Sequence, residues 1–84
     1  MPEISNFNGM SIKLVWQDHL PEHVHVFIGN RQIRVTFEGK ILSGEIEPDK
    51  IKILRQWLKN HQKELLVNWE KARLLQKLER IEPW

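Results

Sequence analysis

The sequence predicts an α+β domain, a small antiparallel meander of three to four strands packed on one or two C-terminal helices. Two changes of pattern carry this. From Met10 to Ile46 apolar residues tend to alternate, as they do in strands with one face covered, and Gly29-Asn30 and Glu38-Gly39 punctuate the stretch as hairpin turns. From Pro48 onward apolar residues recur at three-, four- and seven-residue intervals, the spacing of an amphipathic helix. One domain over residues 1–84 follows, with the sheet at about 10–47, helices at about 48–77 and a tail at 78–84.

The first strand is expected to set Ile12, Leu14 and Trp16 on one face. A two-residue Gly29-Asn30 turn then fixes the next pairing by arithmetic. Ile28 faces Arg31, Val26 faces Ile33 and Val24 faces Val35, so apolar residues meet on one face. The opposite face carries His25 across from Arg34 and His23 across from Thr36. A Glu38-Gly39 turn sets Ser43 beside Arg34 on the next strand.

In the helical region Ile51, Leu54, Leu58, Leu65, Trp69, Ala72 and Leu75 form one stripe, with His61 and Asn68 inside it. Each of those two is expected to be buried and hydrogen-bonded or to mark a bend. Glu47, Pro48 and Asp49 suit a first turn. A continuous helix from Pro48 to Leu75 would be about 42 Å long and would overhang the sheet, so a turn into a second helix near Asn60 is the favoured reading. Trp16 and Trp69 read as core anchors, with Trp57 at the stripe's edge. Trp84, behind a proline at the end of the tail, reads as a partner contact.

Composition narrows the function classes. The 84-residue chain has no cysteine, which excludes disulfides and thiolate metal sites and fits a cytoplasmic protein. No apolar run is long enough for a membrane span. Net charge is only +2, but it is uneven: residues 1–48 carry four Lys/Arg against six Asp/Glu, and residues 49–84 carry nine against five. A nucleic-acid partner is therefore a secondary expectation, through Lys52, Arg55, Lys59 and Lys63 if the protein is a DNA-binding regulator.

The chemistry-bearing stretch is Trp16 to Val26, WQDHLPEHVHV, with three of the four histidines. His23 and His25 are two apart on a strand and share a face, so they could bite one metal ion with His19 or Asp18 as a third ligand. The same groups suit acid–base work: one imidazole takes a proton, another returns it, and Arg34 stabilises a phosphate, as in a ribonuclease using His19, His23, His25 and Arg34. A purely structural polar strand face is the third reading of the same residues, and of metal and anion the anion is preferred and no cofactor is expected, because a fixed cation at Arg34 opposes a dication beside His25.

The opening PEISNFNGMSIKLVWQDHLPEHVHV and the stretch EPDKIKILRQWLKNHQKELLVNWEKA resemble the short bacterial proteins of domain of unknown function 4160, from Pro2 to about Ala72. The resemblance rests on Asp18, His19, Pro21, His23 and His25, and on Trp57, His61, Leu65, Asn68 and Trp69. Glu22 stands where members often have a second proline. The resemblance implies a prokaryotic protein encoded beside another small protein in a toxin–antitoxin-like arrangement, and it implies no established activity. The leading expectation is thus an interaction module with a cognate small protein or a second copy as partner. Its histidine face, with Asp18, Thr36 and Ser43, would be the recognition surface.

Overall fold

A computed structural model describes residues 2–84. Five strands, β1 (Glu3–Phe7), β2 (Met10–Lys13), β3 (His23–Ile28), β4 (Arg31–Thr36) and β5 (Ile41–Ser43), form one antiparallel sheet in sequence order. Helices α1 (Pro48–Asn60) and α2 (Gln62–Arg73) follow. The expected register of the central hairpin is present at every position, from Ile28 opposite Arg31 to His23 opposite Thr36, and Arg34 pairs with Ser43.

The expected strand count was too low, because β1 lies ahead of the residue-10 boundary. Its hairpin turns on Asn8-Gly9, with φ of 50° and 73°. Asn and Gly are the residues that tolerate two successive left-handed conformations, which is what the tightest hairpin turn requires. The polar residues of β1 hide its alternation, yet Ile4 and Phe7 are buried.

One face of the sheet supplies Ile12, Val24, Val26, Ile33 and Val35 to the core, all fully buried. Ile51, Leu54, Trp57 and Leu58 of α1 and Leu65 and Trp69 of α2 belong to the same cluster. Pro48 opens α1 behind Glu47, whose carboxylate pairs with Arg31 at 2.8 Å and ties the helix start to β4. The break falls at His61, whose φ of −124° ends α1, and its side chain is buried and bonded to Glu64 at 2.8 Å. His61 therefore satisfies both halves of its expectation.

Three expectations fail here. Trp16 is not a core anchor: β2 stops at Lys13 and the indole is 38% exposed in the following loop. Leu75 leaves the stripe, because α2 ends at Arg73 and Leu75 has a φ of 58°, so the helices do not reach residue 77. Trp57 is 3% exposed rather than peripheral. The tail docks on the domain. Ile81 is buried and donates its N–H to Ile4 O at 2.7 Å, while the Asn68 amide bonds both the N–H and the carbonyl of Glu79. Across the described residues no helix is long and apolar enough to cross a membrane.

Candidate functional site

The site is built where the loop between β2 and β3 folds back over the start of β3. Two long-range bonds set the loop's course: Gln17 N–H donates to Ala72 O at the end of α2, and Phe37 N–H donates to Glu22 O. The loop thereby delivers Asp18 to the polar face of β3. Asp18 is held locally by the His19 N–H, which donates to its Oδ1 at 2.9 Å.

Asp18 Oδ2 sits between two imidazoles, 2.8 Å from His25 Nε2 and 3.0 Å from His23 Nε2. The tautomers follow from the outer partners. Pro21 O can only accept, so His23 Nδ1–H donates to it at 2.7 Å. Gln32 Nε2–H donates to His25 Nδ1 at 2.9 Å, so His25 Nε2–H is the group that donates to Asp18. His23 Nε2 is buried and left without a hydrogen bond, 3.0 Å from Asp18 Oδ2.

This cluster corrects the picture of an open histidine face. His23 is 0% exposed and His25 7%, His23 lying against the Trp69 ring at 5.7 Å between centroids. A strand face is solvated only if nothing is laid over it, and here the loop covers it. His19 alone of the three stays on the surface, 71% exposed, with Nε2 3.8 Å from Asp18 Oδ1.

The other expected site residues divide into two groups. Arg34 Nε donates to Ser43 Oγ at 2.9 Å, so its guanidinium is turned toward β5. Thr36 Oγ accepts the Lys40 N–H and closes the β4–β5 turn. Trp57 Nε1–H donates to Glu82 O, and His61 and Asn68 also bond the tail, so this set holds the C-terminal segment and none of it belongs to the Asp18–His23–His25 cluster. Trp84 is 77% exposed. Sequence reasoning missed Gln32 and Lys13. Both were readable once β2 was paired, since Lys13 opposes His25 and Gln32 lies two residues from Arg34 on the same face.

Burial works to raise the Asp18 carboxyl, but the hydrogen bonds from His25 and the His19 backbone, with the electrostatic influence of the two neighbouring imidazoles, hold it below its usual value. Glu3 goes further, down to about 2, chiefly through the Ser11 hydroxyl and then Arg80 and Asn6. Both groups are lower in the folded state than in the unfolded one. Their stabilisation is therefore complete above the ordinary carboxyl range and is lost as pH falls, for Glu3 between about 4.5 and about 2. Glu3→Gln is expected to flatten the fall in melting temperature over that window. An equally steep profile for the variant would refute the assignment.

These features define a small α+β protein with an Asp–His–His cluster buried at one end of its sheet. The chain belongs to the family described as Domain of unknown function (DUF4160), which matches residues 9–70 and so includes the cluster and Trp69 but not β1 or the tail. No curated protein and no solved structure matches the chain.

Proposed function

We propose that the chain is a small recognition module that binds an acidic segment of a cognate small protein through the outer face of its sheet. One observation carries the reading. Lys13, His25, Arg34 and Ser43 stand in register across four strands, and neither Lys13 nor Arg34 makes an ion pair among the described residues. Both are half-exposed, and the Lys13 ammonium lies 4.7 Å from the centroid of Phe27, also half-exposed. Two uncompensated cations with an aromatic between the strands favour a partner bearing carboxylates. The toxin–antitoxin-like gene pairing that the family resemblance implies supplies the natural candidate, the neighbouring small protein.

Ribonuclease chemistry through the same groups has less support, because both nitrogens of His25 are engaged and His23 is inside the protein. DNA reading by α1 is weaker too, since Arg55 is committed to Gly39 O at 2.9 Å. Calorimetry with the neighbouring gene's product tests the proposal. Lys13→Glu with Arg34→Glu is expected to weaken binding tenfold or more, and the wild-type affinity should fall with salt. Affinity unchanged by the double substitution would reject the outer face as the binding surface.

A further inference from the structure

We infer that Asp18, His23 and His25 bind one divalent transition-metal ion of the zinc or iron(II) class, with His19 placed to join them from the surface. The inference is independent of any protein partner and stands on the geometry of the cluster.

The three ligand atoms lie within 4.8 Å of one another, and the carboxylate oxygen is already 2.8 and 3.0 Å from the two nitrogens. Ligands around a tetrahedral ion at about 2.0–2.1 Å stand roughly 3.4 Å apart, so only a small opening of the cluster admits the ion. His23 supplies the decisive observation. Its Nδ1 proton is committed to Pro21 O, so Nε2 is the ring nitrogen left for a ligand, and it is buried, without a hydrogen bond and 3.0 Å from a carboxylate oxygen. An imidazole nitrogen and a carboxylate oxygen at this separation are both metal ligands, and a cation placed between them is attracted to both. A backbone carbonyl holding the far nitrogen is also the usual outer support of a metal-bound histidine. His25 has the equivalent support in Gln32, whose amide, turned end for end, accepts from Nδ1–H and frees Nε2 for the ion.

The donor set selects the ion. Two imidazoles and one carboxylate suit zinc, iron(II), cobalt or nickel, whereas magnesium and calcium require mostly oxygen ligands. The charge objection from Arg34 is weakened by its geometry, since its Nε is bonded to Ser43 on the strand beyond. Lys13 remains the cation in register with His25, and its ammonium is drawn over Phe27. Bound metal would tie the loop that carries Asp18 to β3, because the ligands come from both.

Cobalt(II) is the probe. Protein stripped with a chelator and dialysed is titrated with cobalt(II), and visible absorption is followed with the NMR signals of the four histidines. The expected result is one saturable equivalent, a visible band removed by zinc, and strong paramagnetic effects on His23 and His25 but not on His61. Asp18→Ala and His25→Ala should each weaken binding tenfold or more, His61→Gln should not, and His19→Ala should weaken it without abolishing it. If a variant fails to fold, the wild-type band and histidine signals decide alone. The inference is overturned if no saturable equivalent forms, if His19→Ala abolishes binding that Asp18→Ala retains, or if the effects do not centre on His23 and His25.

Discussion

Leu58→Ala is expected to lower the unfolding free energy by about 2–5 kcal/mol, because the removed methyl groups leave a cavity that the surrounding structure fills only in part. Leu58 is 1% exposed and belongs to the cluster in which α1 meets Val24, Val26, Ile33 and Val35 of the sheet. In a domain of this size, 1 kcal/mol corresponds to about 4–8 °C in Tm. The melting temperature should therefore fall by about 10 °C or more, measured by circular dichroism with the sheet signal as readout. A variant melting within a degree or two of the wild type would show that α1 does not close the core.

Removal of residues 79–84 is expected to be comparably damaging, although this tail contains no regular secondary structure. Ile81 is 4% exposed, and burying an isoleucine contributes on the scale of the Leu58 side chain. Deletion also strips partners from groups that remain inside. The Asn68 amide is 1% exposed and bonds Glu79 at 2.8 and 2.9 Å, and Trp57 Nε1–H donates to Glu82 O at 2.8 Å. A buried polar group left unpaired costs about 1–3 kcal/mol. Ile81→Ala separates the two contributions, since it removes the apolar contact and keeps the backbone partners. The truncated chain should melt below Ile81→Ala, and equal melting temperatures would mean that the hydrogen bonds to the tail contribute nothing.

The candidate site was legible in part. His23 and His25 share a face because side chains two apart on a strand must do so, and Arg34 opposes His25 because a two-residue turn leaves only one register that puts valine and isoleucine together. The use of those residues was not legible. Asp18 was counted as a third ligand no better than His19, because loop residues carry no period from which a direction can be read. The structure separates them: Asp18 stands between the imidazoles, and His19 points to solvent.

The same division runs through the fold. Local rules sufficed wherever the physical cause spans a few residues: the Gly29-Asn30 turn and its ladder, the helical stripe from Ile51, and the break at His61. Asn8-Gly9 was equally readable and went unread, because β1 alternates weakly. By itself, then, the sequence determined the α+β class, the central register and which residues share a face. Tertiary structure alone decided which polar face is covered and whether the tail docks. Those outcomes hang on contacts between distant residues, Gln17 with Ala72, Glu22 with Phe37 and Ile81 with Ile4. Such contacts are governed by the whole chain's packing and leave no periodic trace in the segments that make them.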